Sequence, residues 1–214
     1  MTGTVVIGAG GHARVLIDAL QRAGVEVLFA TDADRGKHGQ TVLGVPVIGG
    51  DEVLAAHPPG SVALVVGLGS VGADGARRAL FERLSRDGHR LAIVVHPAAV
   101  VAPDVTLLDG AQVMAGAVVQ TGSVIGRNAI VNTGACVDHD CRIGDHAHVA
   151  PGATLSGGVE IGDGAFVGVG ACVIQSVRVG AGSVVAAGAV VVRDVPDGAR
   201  VMGVPAKVRT GERQ

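Results

Sequence analysis

Residues 119–142 read VQTGSV, IGRNAI, VNTGAC and VDHDCR, four six-residue units that each begin with valine or isoleucine. The register continues in both directions without an insertion, and all sixteen residues that hold it are aliphatic: Val101, Leu107, Val113, Val119, Ile125, Val131, Val137, Ile143, Val149, Leu155, Ile161, Val167, Val173, Val179, Val185 and Val191. Four positions after each of them stands Ala, Ser, Cys or Val. A period of six matches neither an α-helix nor a β-hairpin. We therefore predict a coil with three short sides, about eighteen residues per coil and neighbouring coils about 4.8 Å apart.

The composition fits such a coil and argues against several classes of partner. The chain has 35 glycines, three phenylalanines and neither tryptophan nor tyrosine, yet 48% of its residues are hydrophobic, which favours a narrow interior of aliphatic side chains. A formal net charge of −2 offers no basic surface to nucleic acid or to a membrane. No apolar run approaches the roughly 18 residues of a membrane span, no signal peptide is recognised, and the three cysteines lack a zinc-type spacing. We expect a soluble, cytoplasmic protein.

Residues 1–97 follow a different pattern, in which short apolar runs alternate with helical segments. Strands are predicted at 4–8, 25–29, 62–66 and 91–95, and helices at 12–22, 51–56 and 73–86, with Asp51 as the cap of the second helix. Strands that alternate with helices indicate a parallel sheet covered by helices. We predict two domains, a small Rossmann-like α/β domain over residues 1–97 and a parallel β-helix over residues 98–214.

A glycine-rich loop, Gly8-Ala-Gly-Gly-His-Ala13, joins the first predicted strand to the first predicted helix. It satisfies the dinucleotide-binding pattern G-x-G-x-x-G/A, and Asp32 follows at a suitable distance. Four strands are too few for a complete NAD-binding fold, but the N-terminus of a helix still favours phosphate. The alternative is that these glycines only allow the strand and the helix to pack closely.

The candidate for acid–base chemistry is His139, which stands between Asp138 and Asp140 in the turn of one repeat. Acyl transfer to an amine requires a base that removes a proton as the nitrogen attacks the thioester, and a neighbouring carboxylate can fix the tautomer of such a base. The coil period places Thr121 and Gly157 directly beside His139. A glycine there would leave open space and backbone N–H groups for an acetyl thioester.

Several motifs together resemble the left-handed β-helix acyltransferases: the unbroken hexads, the closing segment Val201-Met-Gly-Val-Pro-Ala-Lys207, the opening Gly8-Ala-Gly-Gly-His12 and the triplet Asp138-His-Asp140. Across essentially the whole chain the sequence is similar to the sugar O-acyltransferase and sialic acid acetyltransferase-like family. Within that family it most resembles the nucleotide-linked amino-sugar N-acetyltransferases of the bacillosamine and perosamine pathways. The resemblance implies a left-handed β-helix and a homotrimer with active sites in the grooves between subunits. It also implies transfer of acetyl from acetyl-CoA to the amine of a UDP- or GDP-linked 4-amino-deoxy sugar, in bacterial glycan biosynthesis.

The resemblance further implies roles for individual residues. His139 is the expected catalytic base of a direct transfer, with Asp140 as its partner. The expected nucleotide-sugar contacts are Gly10, Gly11 and His12 at the phosphates or the sugar, Asp32 at the base, Gly67 in the pocket wall and Asn132 near the amino sugar. The expected acetyl-CoA contacts are His148, Val169 and Ala187, together with Gly157 from the coil period. The same period stacks His148 against Phe166, and no metal ion is expected.

Three other functions are weighed against this one. The same fold and donor could acetylate a sugar hydroxyl, as on sialic acid. A zinc-dependent hydratase would use His139, His146 and His148 as ligands shared across a subunit boundary. A non-catalytic scaffold would not need His139 at all. The identity of the sugar and of the nucleotide, uridine or guanosine, stays open.

Two further expectations concern side chains without an assigned chemical role. The arginines of the third predicted helix are expected on its solvated face: Arg77, Arg78, Arg83 and Arg86. Cys136 and Cys172 are expected at turn positions of the repeats, and Cys141 at a small inward site.

Overall fold

The computed structural model describes residues 3–70 and 75–209. The chain forms two compact units, of which the N-terminal one runs to Pro97 and the C-terminal one comprises the chain from Ala98 onward. Within the described ranges, the helices lack the length and the apolar character that crossing a membrane requires.

The N-terminal unit is built on one sheet. Its strands are β1 Thr4–Ile7, β2 Val27–Thr31, β3 Thr41–Val42, β4 Val45–Gly49, β5 Ala63–Val66 and β6 Arg90–Leu91, and β7 follows at Val94–Val95. The order in the sheet is β3-β4-β2-β1-β5-β6. The neighbours are parallel except for the β3–β4 hairpin. The helices are α1 Gly11–Arg22 and α2 Ala76–Arg86, with 3₁₀ helices at Arg35–Lys37 and Asp51–Ala56.

The apolar runs explain the centre of this sheet. All four residues of β1 and all four of β5 are buried, as expected for parallel strands between layers of helix. One apolar face of α1 is buried: Ala13, Leu16, Ile17, Ala19 and Leu20. Since β1, β2 and β5 are parallel neighbours, their carboxyl ends lie at the same edge, where ligands of open α/β sheets bind.

The sheet has more strands than the sequence pattern predicts. The β3–β4 hairpin was missed because its turn, Leu43-Gly44, takes positive φ angles at both residues, and Pro46 interrupts the apolar alternation after it. The predicted strand at 91–95 is two short strands, and the predicted strand at 25–29 begins at Val27. The sheet has six strands where four were predicted, but β3 is antiparallel and β3 and β6 are only two residues long.

Two helix boundaries also differ from the prediction. Gly50, not Asp51, is the N-cap of the second helix, which is a 3₁₀ helix. The carboxylate of Asp51 instead accepts a hydrogen bond from Thr31 Oγ1 at 3.1 Å and pairs with Arg83. The predicted start of the third helix, at residue 73, lies outside the described residues, and the helix is described from Ala76.

The C-terminal unit is a parallel β-helix whose sides are two-residue strands six positions apart. They are β8 Val100–Val101, β9 Thr106–Leu107, β10 Gln112–Val113, β11 Val118–Val119, β12 Val124–Ile125, β13 Ile130–Val131, β14 Cys136–Val137, β15 Arg142–Ile143, β16 His148–Val149, β17 Thr154–Leu155, β18 Glu160–Ile161, β19 Phe166–Val167, β20 Cys172–Val173, β21 Arg178–Val179, β22 Val184–Val185 and β23 Val190–Val191. Strands eighteen residues apart pair in parallel, as in Val118↔Cys136↔Thr154. An antiparallel pair, β24 Arg200–Met202 and β25 Lys207–Val208, follows the last of these strands.

Each aliphatic residue of the hexad series is the second residue of a strand and points into the coil. From Val113 onward these residues are at most 2% exposed. The first residue of a strand points outward, so Cys136 and Cys172 lie exposed on strand faces and not at the predicted turn positions, whereas Cys141 is buried as expected. From β9 to β23, each turn between successive strands contains one left-handed residue. It is glycine in most turns, and Asn128, Asp140, His146 or Ser176 in the others.

Candidate active site

A cavity of about 470 Å³ lies at the carboxyl ends of β1, β2 and β5. It is lined by the five residues of the N-terminal unit that were predicted to bind substrate: Gly10, Gly11, His12, Asp32 and Gly67. Lys37 and Asp51 also line it, and neither was singled out in the sequence. The structure thus brings the predicted nucleotide-binding residues together in one concave site. Their individual contacts with a ligand stay predictions.

The glycines around this cavity have two different physical roles. A Cβ at Gly67 would lie 2.9 Å from Ala13 Cβ and from Ile7 O, so glycine is needed there for close packing of strand and helix. Gly8 has φ +112°, which also favours glycine. At Gly10 and Gly11, by contrast, a Cβ would meet nothing within 4 Å. Backbone conformation therefore explains Gly8 and packing explains Gly67, whereas packing does not explain the glycines at the start of α1.

The start of α1 is suited to an anion. Gly10 is the N-cap and makes no side-chain cap hydrogen bond, and the first turn contains no acidic residue. The first backbone N–H groups of a helix have no partner within the helix, and the helix dipole places partial positive charge there. A phosphate group in the cavity would meet these donors directly.

Asp32 is held by three donors at the end of β2. Its Oδ2 accepts the N–H of Ala9 and the ammonium of Lys37, each at 2.8 Å, and its Oδ1 accepts the N–H of Asp34 at 2.9 Å. Burial raises the pKa of this carboxyl, but the hydrogen bonds from Lys37, Asp34 and Ala9 together outweigh burial and bring the pKa below its ordinary value. Asp32 is therefore ionised at neutral pH.

Arg77 supports the cavity wall from behind, which corrects the expectation of a solvated face. It is only 3% exposed, and its Nη1 donates to Val66 O at 2.9 Å and to Leu68 O at 2.6 Å. Burial lowers the pKa of its guanidinium to about 9. Carbonyl groups after a buried strand need donors, and Arg77 supplies them for the segment beside Gly67. The other arginines of α2 are exposed as predicted: Arg78, Arg83 and Arg86.

The second candidate site is the turn between β14 and β15, which presents His139. Nδ1 of His139 lies 2.8 Å from Asp140 Oδ2, and the backbone N–H of His139 donates to Asp138 Oδ1 at 2.8 Å. A carboxylate can only accept, so in the neutral ring Nδ1 carries the proton and Nε2 keeps a lone pair. The hydrogen bond to Asp140, followed by the charge of Asp138, raises the pKa of His139 above its ordinary value. More than half of the His139 side chain is exposed.

Two glycines of neighbouring coils make room for this pair. Backbone hydrogen bonds from Asp140 N to Thr121 O and from Gly158 N to His139 O show the predicted stacking of the coils. A Cβ at Gly157 would overlap Nε2 of His139 and lie 2.5 Å from its Cε1. A Cβ at Gly122 would overlap the carboxylate of Asp140. The space predicted beside Gly157 is thus taken up by the imidazole itself, and Gly122 has a matching role that the sequence did not reveal.

The other predicted residues of the β-helix form a second group, away from His139. Asn132 Nδ2 lies 3.0 Å from His148 Nε2, and the ring of His148 meets Phe166 edge-on at a centroid distance of 5.2 Å, as the predicted stacking requires. Val169 and Ala187 occupy equivalent turns of successive coils, and the side chain of Val169 is exposed. Asn132 follows β13, Val169 follows β19 and Ala187 follows β22, and these three strands belong to the same side of the coil. His139 follows β14, on the next side, so the two groups stand at different corners of the coil.

The three histidines of the zinc alternative are also separated within one chain. His139 and His146 stand in successive turns, and His148 stands on a strand face. Nδ1 of His146 lies 3.0 Å from Asn128 Nδ2. Across residues 3–70 and 75–209, the structure contains no group of three or more His, Cys, Asp or Glu side chains arranged to hold a metal ion.

Comparison with known proteins identifies both units. The model of the PglD N-terminal domain matches residues 4–84, and the model of the bacterial transferase hexapeptide (six repeats) matches residues 122–157. A search of curated proteins gives no match.

Solved structures match over nearly the whole chain. A histidine variant of perosamine N-acetyltransferase from Caulobacter crescentus, in complex with CoA and GDP-perosamine, is 44% identical with a TM-score of 0.89, over 98% of this chain and 97% of that chain. The acetyltransferase domain of PglB from Neisseria gonorrhoeae, in complex with acetyl coenzyme A, is 40% identical with a TM-score of 0.90, over 97% and 99% of the two chains. WeeI from Acinetobacter baumannii is 26% identical with a TM-score of 0.79, over 98% and 100%.

These matches confirm the predicted fold class, a small α/β domain followed by a left-handed β-helix of hexapeptide repeats. They also confirm the resemblance on which the expected site residues rest. The chain belongs to the family of hexapeptide-repeat acyltransferases with a PglD N-terminal domain, which includes the perosamine N-acetyltransferase and the PglB acetyltransferase domain.

Proposed function

We propose that the chain is an acetyl-CoA-dependent N-acetyltransferase whose acceptor is the amino group of a UDP- or GDP-linked 4-amino-deoxy sugar. The observation that carries the proposal is the exposed His139–Asp140 pair, because it keeps one ring nitrogen available as a proton acceptor. The cavity at the glycine loop supports the proposal by offering helix N–H groups to a diphosphate. The perosamine enzyme binds CoA and GDP-perosamine, and the PglB domain binds acetyl coenzyme A.

In this proposal His139 is the general base of a direct transfer. The amine nitrogen attacks the carbonyl carbon of the acetyl thioester, and its proton passes to Nε2 of His139. The tetrahedral intermediate then collapses: the C–S bond breaks, the acetyl group stays on nitrogen, and the departing CoA thiolate takes the proton from the imidazolium. Asp140 keeps Nδ1 protonated and stabilises the positive charge that develops on the ring.

The N-terminal cavity holds the nucleotide part of the acceptor. We place the diphosphate at the N–H groups of Gly10, Gly11 and His12, with Asp32 and Gly67 as parts of the wall. Asn132 is assigned to the amino sugar, and His148, Val169 and Ala187 are assigned to acetyl-CoA. Gly157 instead makes room for the imidazole of His139.

A complete site of this kind requires more than one chain. His139 and the group around Asn132 stand at different corners of one coil, so a single β-helix cannot present both to one substrate. We propose a homotrimer, in which a groove combines the His139 corner of one subunit with the Asn132 corner of the next. The thiols of Cys136, Cys141 and Cys172 are free, as is usual in a reducing compartment. This supports the proposal that the protein acts in the cytoplasm.

The experiment that tests the proposal is a thiol-release assay with acetyl-CoA and a small panel of acceptors: UDP- and GDP-linked 4-amino sugars, and free sialic acid. Release with an amino-sugar nucleotide supports N-acetylation and also decides between the nucleotides. Release with sialic acid alone would replace it by O-acetylation. The absence of thiol release with every acceptor would contradict acetyl transfer to these acceptors. Metal analysis would then test the zinc alternative.

A further inference from the structure

Lys37 ends the 3₁₀ helix Arg35–Lys37 and forms part of the wall of the glycine-loop cavity. Its side chain is 36% exposed, whereas that of Asp32 beneath it is 12% exposed. The ammonium lies 2.8 Å from Asp32 Oδ2. Lysine has three N–H donors, so the bond to Asp32 leaves two of them for a ligand in the cavity.

The position of this ammonium is fixed relative to the glycine loop. Asp32 Oδ2 accepts both the Lys37 ammonium and the N–H of Ala9, each at 2.8 Å. The two nitrogens bind one oxygen atom, so they are at most twice that distance apart. A ligand anion at the loop therefore lies within reach of a lysine that its carboxylate partner already orients.

The same geometry limits what Asp32 itself can do. An ionised carboxylate has about four lone-pair positions, and Asp32 uses three of them for Ala9, Asp34 and Lys37. One position remains, on Oδ1, which is too few for a two-point contact with the edge of a nucleobase. The carboxylate is thus occupied with holding the loop and the lysine.

The charges around the cavity favour an anion only while Lys37 is in place. The negative charge of Asp51 is balanced by Arg83, and that of Asp32 by Lys37. Among the described residues that line the cavity, Lys37 carries the one side-chain charge that is positive across the neutral pH range. Without it, a diphosphate would approach an unbalanced carboxylate.

We infer that Lys37 binds the diphosphate of the nucleotide and that Asp32 is a positioning residue, which joins Lys37 to the glycine loop and does not read the base. The inference rests on the proposed function, because it takes the ligand of the cavity to be a nucleoside diphosphate. It replaces the expected base contact of Asp32 and adds a binding residue to the site.

The test is calorimetric titration of the full chain with GDP, UDP, guanosine and uridine. Lys37→Met should weaken the binding of whichever diphosphate the protein prefers by about 10–100-fold, since a hydrogen bond between charged groups is lost. The matching nucleoside should lose less than about threefold, because its base and ribose do not touch Lys37. Lys37→Arg should retain most of the affinity, as it keeps the charge.

Arg35→Met is the matched control, because it removes an exposed cation of the same 3₁₀ helix that does not line the cavity. It should leave every affinity unchanged. Equal losses for diphosphate and nucleoside in Lys37→Met, or no loss at all, would overturn the inference while leaving the proposed acetyl transfer untouched. Failure of the unsubstituted protein to bind either diphosphate would overturn both.

Discussion

The two candidate regions use glycine in opposite ways. At Gly10 and Gly11 of the N-terminal loop, an added methyl group would meet nothing within 4 Å, so the space beside the backbone is open to a ligand. At Gly122 and Gly157 of the β-helix, the space is already filled by the Asp140 carboxylate and the His139 imidazole. The first pair of glycines leaves space beside the proposed nucleotide site, whereas the second pair makes room for the side chains of the proposed base and its partner. In the proposed function, the first region binds the nucleotide and the second holds the base in position.

Among the glycine substitutions, Gly157→Ala should have the largest effect, and it should affect turnover but not nucleotide binding. The new methyl group would overlap the ring of His139 and push the base out of place, and a displacement of about 1 Å can cost about 10²-fold in rate. We expect the turnover number in the thiol-release assay to fall by about that factor, with nucleotide affinity unchanged. Gly75→Ala, where a Cβ meets nothing within 4 Å, is the matched control and should behave as the unsubstituted protein. Full turnover in Gly157→Ala would show that the position of His139 does not matter.

Gly11→Ala adds the same methyl group to the open region. We expect the Michaelis constant for the nucleotide sugar to rise about tenfold at a nearly unchanged turnover number, because the methyl group takes space from the ligand and leaves His139 alone. Thermal unfolding should occur at an equal or higher temperature, since alanine is favoured over glycine in a helix. An unchanged Michaelis constant would mean that the open space at α1 is not used by the substrate.

Asp138→Asn should produce the smallest change, a shift of the pH profile. The hydrogen bond to Asp140 and the charge of Asp138 both raise the pKa of His139, and the base works only when its ring is neutral. Activity is therefore lost as the pH falls through this raised pKa. Removing the charge of Asp138 lowers the pKa, so the acid limb of the kcat/KM profile should move to lower pH. An acid limb that does not move in Asp138→Asn would show that this limb reports the titration of a group other than His139.

The β-helix could be predicted in detail because its signal is local and repeated. The aliphatic residue of each hexad from Val113 to Val191 is buried where the period places it, and the stacking of His139 on Gly157 follows from counting eighteen residues. Packing of each coil against the next reinforces the same register along the whole β-helix, so one irregular residue cannot shift it. Asp140, for example, takes the left-handed turn position usually filled by glycine without disturbing the repeat.

The residues that were missed depend on contacts that no local pattern encodes. Lys37 lies in a polar segment five residues after Asp32, and the pairing of β1 with β2 brings both residues to Ala9 and the glycine loop. Arg77 and Arg78 are adjacent in sequence, yet Arg77 alone turns inward, toward carbonyl groups after β5. Gly122 looks like any other turn glycine until the carboxylate of Asp140 is found beside it.

The most direct test of the account is to measure acetyl transfer and nucleotide binding side by side in His139→Ala, with His146→Ala as the histidine control from the following turn. We expect thiol release by His139→Ala to fall by about 10²–10⁴-fold, while its affinity for the nucleotide and its unfolding temperature match those of the unsubstituted protein. His146→Ala should retain its activity. Thiol release at the full rate in His139→Ala would contradict the assignment of the base. It would also contradict the proposal that the N-terminal loop binds the nucleotide while the β-helix supplies the base.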